Sequence, residues 1–190
     1  GLGNMGYPMA GHLQKAGWTV TVYNRSRPKA DAWVKEYGGQ SAATPADATK
    51  GASIVCVCVG NDDDLRSVTL APDGAIAGMG KDAILCDHTT ASAIVAREIY
   101  AAAKKKGAHA LDAPVSGGQE GARKGILTIM VGGEPKVFAR AEPAMRAYGR
   151  AVTLMGPAGA GQLTKMVNQI CCVGAEQALA EAMNFAARAG

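Results

Sequence analysis

Glycines stand at positions 1, 3 and 6 in the run Gly1-Leu2-Gly3-Asn4-Met5-Gly6, and this spacing constrains the fold more than any other feature of the chain. Glycines so placed let a strand-to-helix turn bend tightly, bring its backbone close to a pyrophosphate, and pack the following helix closely. That helix would aim its free N–H groups and the positive end of its dipole at the phosphates. Glycine supplies 25 of 190 residues, so an ordinary glycine turn capping a helix is the competing reading. The downstream pattern favours the first. Met9, Ala10, Leu13 and Ala16 fall at helical spacing over residues 8–16, Gly17 ends that helix, and Thr19-Val20-Thr21-Val22-Tyr23 predicts a strand. Together they make half of a βαβ unit. The other half, a buried strand ahead of Gly1, is not in the sequence, which reads as a piece of a longer protein.

Composition narrows the class. With 48% apolar and 19% charged residues the chain can bury a sizeable core, and few aromatics beside plentiful Ala, Gly and Val favour closely packed α/β layers. No apolar run reaches the roughly 18 residues of a membrane span. The formal charge of +4 is mild, and the one basic cluster, Lys104-Lys105-Lys106, ends a predicted helix where cations complement the dipole. Neither a nucleic-acid partner nor a membrane is expected. Five cysteines without a C-x-x-C pair give little support to zinc or dithiol chemistry and suit a reducing cytoplasm; Cys56 and Cys58 are expected as small core residues.

Taken in order, Asn24-Arg25-Ser26 occupies the position about 20 residues past the glycines where an acid would hold the ribose hydroxyls of NAD. A guanidinium and small donors there accommodate a 2′-phosphate instead, so NADP is the expected cofactor, with NAD possible. A loop whose arginines are simply solvated is the alternative. Residues 30–37 predict a helix stopped by Gly38-Gly39, and Thr44-Pro45 a helix start. The continuous apolar run 53–59 predicts a strand buried on both faces, as in a parallel sheet. The acidic triplet Asp62-Asp63-Asp64 reads as a helix N-terminus rather than a metal site. Further strands are expected at 83–87, 108–112, 127–131 and 151–154, and helices at 92–106 and 136–148.

Strand ends in such a sheet face the ligand crevice, which brings Asp87, His88 and Thr90 under suspicion, His88 more as a histidine bonded to its neighbours than as a catalytic one. Ser116-Gly117-Gly118 offers a hydroxyl and unobstructed N–H groups, a nest suited to a carboxylate, with a plain glycine turn as the alternative. After Gly156-Pro157 a helix over 162–189, roughly 40 Å at 1.5 Å per residue, exceeds one small domain. It would carry Lys165, Asn168 and Gln169 on one face, with Gly161 leaving space for a ligand. The expected organisation is a Rossmann-type doubly wound domain over 1–157 and, over 158–190, an interdomain helix opening an all-α domain.

With these segments in hand the chain resembles the β-hydroxyacid dehydrogenases, the group of 3-hydroxyisobutyrate dehydrogenase and small semialdehyde reductases. The resemblance rests on residues 1–6, on Asp112-Ala113-Pro114-Val115-Ser116-Gly117-Gly118, and on 159–169. It implies reversible hydride transfer between a nicotinamide and a small 3-hydroxy acid or its semialdehyde, with Lys165 as general acid and base. It implies Ser116, Gly117 and Gly118 at the substrate carboxylate, Asn168 and Gln169 beside them, and Thr90 near nicotinamide and substrate. Gln169 departs from the asparagine often found there. The cofactor would be held by Gly1, Leu2, Gly3, Asn4, Met5, Gly6, Asn24, Arg25, Ser26 and Thr90. A homo-oligomer, dimer or tetramer, is implied as well. The rival readings are an imine reductase, against which Lys165 argues, and a non-catalytic NADP-binding module.

Overall fold

The computed structural model describes residues 1–190. α1 (Gly6–Lys15) follows the glycine turn directly, and β1 (Thr21–Val22), α2 (Arg27–Tyr37) and β2 (Gln40–Ser41) complete a first layer in which β1 and β2 pair in parallel. The expected strand over 19–23 shortens to two ladder residues because β2 offers only two partners. Trp33, Val22, Ala30 and Leu2 form a small separate core beneath it. α3 (Pro45–Thr49) starts as its sequence predicts, the Thr44 hydroxyl accepting from the Asp47 N–H at 3.0 Å.

β3 (Ile54–Val57), α4 (Asp62–Leu70), α5 (Ala75–Gly78), β4 (Ile84–Asp87), α6 (Ala93–Lys106) and β5 (His109–Asp112) build the parallel half of a six-stranded sheet. β6 (Val115–Ser116), α7 (Gly118–Lys124), β7 (Leu127–Gly132), α8 (Pro135–Met145) and β8 (Gly149–Gly156) add the rest. β7 runs antiparallel to β5 and to β6 and parallel to β8, giving the order β3-β4-β5-β7-β6 with β8 also on β7. β4 shows why helices lie on both faces. Ile84 and Cys86 enter one core with Leu111, Ile129, Val131 and Met145, while Leu85, between them, points into the other with Leu65, Val95 and Ile99. Each fully buried Leu or Ile contributes about 1.5–3 kcal/mol.

β3 corrects one expectation. It pairs only with β4, so its other edge is open; Ile54 and Val55 are half-buried and Cys56 is exposed. Cys56 and Cys58 are therefore not core residues, although the Cys56 sulfur reaches the Tyr148 hydroxyl at 3.6 Å. The acidic triplet does begin α4, with Asn61 capping by accepting from Asp64 N–H at 2.9 Å.

α9 (Ala160–Ala189) spans 30 residues, about 45 Å at ~1.5 Å per residue. Its first turns pack on β7, β8, β5 and α6, and only Gly161, Gln162 and Lys165 are buried. From Ile170 onward its side chains are exposed, Val173, Leu179, Met183 and Phe185 among them. Gly161 does not leave space for a ligand. A Cβ there would strike the carbonyls of Met130 and Asp112, so this glycine lets the helix sit directly on the strand ends. Gly161→Ala is expected to destabilise the protein by about 1–3 kcal/mol through overpacking, seen as a lower urea midpoint at unchanged slope.

Candidate active site

The glycine turn is held from behind. Leu2 N–H donates to Asn24 Oδ1 at 2.9 Å, and Asn24 Nδ2 donates to the Ser26 carbonyl at 3.0 Å, so Asn24 ties the turn to the loop after β1. A Cβ on Gly1 would press on the Cys58 carbonyl at 3.1 Å, and one on Gly6 would run into the carbonyl of Gly1. Gly3 is different: it is exposed, and a Cβ on it would meet nothing within 4 Å. α1 has no side-chain cap, so its first N–H groups, after Asn4 and Met5, face that open cradle. These features fit a dinucleotide pyrophosphate. Arg25 stands beside the cradle, 91% exposed, with Nη1 3.7 Å from Asp64 Oδ1, a loose pair that leaves the guanidinium free to swing. Ser26 begins α2 without a side-chain hydrogen bond.

A chain of hydrogen bonds leads from there to α9. Val59 N–H donates to Thr89 Oγ1 at 3.2 Å. The Gln162 amide, fully buried, donates from Nε2 to the Thr89 carbonyl at 2.7 Å and accepts at Oε1 from Ala91 N–H at 3.0 Å, clamping the two residues that flank exposed Thr90. Asp112 at the end of β5 accepts from Gly159 N–H at 2.7 Å and from Gln162 N–H at 2.9 Å, closing the start of α9. Burial pushes the Asp112 carboxyl up from its ordinary value, and these N–H groups pull it back down. Gln162, one turn before Lys165, thus ties the loop that carries Thr90 to α9. Neither Gln162 nor this role of Asp112 is foreseen from the sequence, where a glutamine in a first helical turn reads as surface.

Lys165 is 7% exposed, and burial lowers its ammonium from the ordinary value, with the nearby Cys172 acting the other way. No carboxylate pairs with it. Asn168 is half-buried one turn further on; Gln169 is exposed and makes no hydrogen bond to the others. Ser116 is half-buried on β6 opposite Thr128, and Gly117 (φ 128°) and Gly118 (φ 59°) hold conformations that side chains resist, at the exposed start of α7. β7 joins the two parts, carrying Ser116 across from Thr128 at one end and Gly132 against Gly161 at the other. No hydrogen bond links Ser116, Gly117 or Gly118 to Lys165.

The fold and the cradle define a nicotinamide-dinucleotide-binding domain of the Rossmann type. Residues 1–156 match the family described as the NAD binding domain of 6-phosphogluconate dehydrogenase. The chain is 58% identical to an oxidoreductase of Shewanella frigidimarina, covering all of this chain and 65% of that protein. It is 40% identical to a 3-hydroxyisobutyrate dehydrogenase of Pseudomonas aeruginosa, over 95% of this chain and 61% of that one. Among solved structures, Mycobacterium tuberculosis 3-hydroxyisobutyrate dehydrogenase with L-serine superposes with a TM-score of 0.92 at 33% identity, covering 100% of this chain and 64% of that one. The chain belongs to the β-hydroxyacid dehydrogenase family, and it spans a little under two thirds of the length of these relatives.

Two buried neighbours under Thr90 titrate in opposite senses. His88 Nδ1 lies 2.7 Å from the Ala113 carbonyl and therefore carries the proton, leaving Nε2 to accept from the Tyr148 hydroxyl at 2.8 Å. Burial lowers His88 to about 4, so it is a histidine bonded to its neighbours, as its position predicts. Asp87 accepts from Thr89 N–H at 2.9 Å with Oδ1 while Oδ2 has no partner, and burial raises it to about 7. Between its unfolded value and about 7 the folded protein keeps the Asp87 proton that the unfolded chain has lost, so this contribution is full at low pH and fades as pH rises through 7. His88 works in reverse: its contribution is full above the ordinary histidine value and is lost as pH falls towards 4. Asp87→Asn keeps the Thr89 bond and removes the first term. Urea midpoints of the variant are expected to rise with pH between 4 and 6.5 more steeply than those of the parent.

Proposed function

We propose that this chain is the cofactor-binding part of an NAD(P)-dependent oxidoreductase that interconverts a small 3-hydroxy acid and its semialdehyde, with Lys165 as general acid and base. The observation that carries the reading is the lysine itself. It is a buried cation without a carboxylate partner, carried by the helix seated on the ends of β5 and β7 in a chain whose glycine turn fits a dinucleotide. The 3-hydroxyisobutyrate dehydrogenases among the relatives support the substrate class. Residues 1–157 act as the NAD(P)-binding domain, and 158–190 as the interdomain helix that opens an all-α domain. The two sheets share no hydrogen-bonded pair, and a strand between β1 and β3 would join them.

When bound, the nicotinamide exchanges a hydride with the carbinol carbon of the substrate. Lys165 Nζ takes the hydroxyl proton in the oxidising direction and returns it in the other. Burial favours the neutral amine that the first of these steps needs. Ser116 Oγ and the N–H groups of Gly117 and Gly118 hold the carboxylate, with the Asn168 amide at the substrate oxygen and Gln169 at the rim. Thr90, fixed by the Gln162 clamp, lies between nicotinamide and substrate. Residues 1–6 with Asn24, Arg25 and Ser26 seat the dinucleotide, NADP in preference to NAD, a preference that the exposed Arg25 guanidinium and the lack of an acid at 24–26 support. The enzyme works as a homo-oligomer in the cytoplasm, a setting that suits five cysteines with no disulfide. No helix of the chain is long and apolar enough to cross a membrane.

In the full-length enzyme, Lys165→Ala is expected to lower kcat on the order of 100-fold to 10,000-fold with dinucleotide binding unchanged. Near-normal turnover would remove Lys165 from the chemistry. Initial rates with NADPH and NADH over glyoxylate and over succinic, methylmalonic and tartronic semialdehydes test the cofactor and the class together. Arg25→Gln is expected to raise KM for NADPH about tenfold or more, the loss of one charged hydrogen bond, and to leave NADH almost unaffected. Reduction of imines alone would move the enzyme to imine chemistry, and tight cofactor binding without any turnover would make it a binding module.

A further inference from the structure

Lys165, Asn168 and Cys172 follow one another at i, i+3 and i+7 along α9 and share one stripe of it. One end of the Asn168 amide meets the thiol, with Nδ2 donating to Cys172 Sγ at 3.6 Å; the other end, Oδ1, is buried and has no partner at all. Turning the amide over exchanges the two atoms and changes nothing else, since whichever one leaves the sulfur is left alone. Buried amide atoms are ordinarily paired, and a lone one at a site marks where a ligand atom belongs. The stripe fits such a ligand. The i, i+3 and i+7 spacing turns thiol, amide and lysine toward the same side of α9.

We infer that Cys172 is a positioning residue: with the Asn168 amide turned over, its thiol donates to Oδ1 and thereby aims the free Nδ2 donor at the oxygen of the hydroxy acid or semialdehyde that Lys165 serves. The inference rests on Lys165 being the acid and base of the reaction. Without the thiol the Asn168 side chain is free to rotate, and the substrate must then order it on binding. The cost falls on the substrate, because Asn24 holds the glycine turn and no hydrogen bond joins that turn to Asn168 or Cys172.

The test is a set of variants of the full-length enzyme assayed with 3-hydroxyisobutyrate and with L-serine. Cys172→Ala is expected to raise KM for the hydroxy acid about fivefold, the scale of one neutral hydrogen bond, with KM for the dinucleotide and the thermal midpoint unchanged. Cys172→Ser keeps a donor at the same place and is expected to recover most of the loss. In an Asn168→Ala background, Cys172→Ala is expected to have no further effect. A Cys172→Ala enzyme indistinguishable from the parent overturns the inference. So does one that loses stability and dinucleotide affinity together, or one whose effect simply adds to that of Asn168→Ala. An active parent, an inactive Lys165→Ala and a normal Cys172→Ala overturn this inference alone, whereas full turnover in Lys165→Ala overturns the proposed function and this inference with it.

Discussion

The carboxylate of Asp112 against the start of α9 is the contact on which the rest of the crevice depends. A helix that begins at the ends of buried strands brings N–H groups with no partner into a dry place, and a buried carboxylate alone is equally costly. Each satisfies the other here, through Gly159 N–H and Gln162 N–H. The fit demands close approach, which is why Gly132 and Gly161 face one another where any Cβ would collide with Asp112 or with backbone. Once the helix is seated, Gln162 has one orientation available, and its amide fixes Thr89 and Ala91. Lys165 then follows one turn later with its position set.

The two principal helix starts of the molecule are used in contrary ways. At α9 a protein carboxylate occupies the place where an anion would sit, and that terminus is closed to ligands. At α1 no side chain caps the helix and the glycine before it opens outward, so the same N–H groups and dipole are left for a phosphate. The glycine turn beside the two-stranded sheet is thus left open to an anion, while the strand ends of the six-stranded sheet give α9 a rigid mount.

Much of this was legible in the sequence. The runs at Ile84 and Leu111 are apolar enough, and the caps at Thr44 and Ser92 specific enough, that local chemistry alone places those elements. The pairing of Lys165 with Asn168 follows from helical spacing; Gln169, a further 100° around, turns out exposed. What was not legible depends on partners distant in the chain. β6 is two residues long and exists only because β7 returns beside it, and the strand at Ile54 looked doubly buried because apolar character does not tell an edge from a centre. Gln162 was given no role of its own and Gly161 was read as open space, since nothing local reports that Asp112 and Met130 lie against them.

The electrostatics of the crevice floor follow from the same burial. Burial holds His88 neutral, against the pull of its bond to the Ala113 carbonyl, and burial raises the Asp87 carboxyl to about 7, with Oδ2 left without a donor. The Asp112 carboxyl, raised by burial, is met by the amides of α9, which favour its anion. No fixed negative charge is therefore left facing Lys165. A carboxylate partner would have raised the lysine and kept it protonated, good for holding an anion and poor for accepting a proton. With burial as the dominant influence, the ammonium is lowered instead. The direction of that shift is set by the burial of Lys165 in the scaffold, with no carboxylate beside it to oppose it.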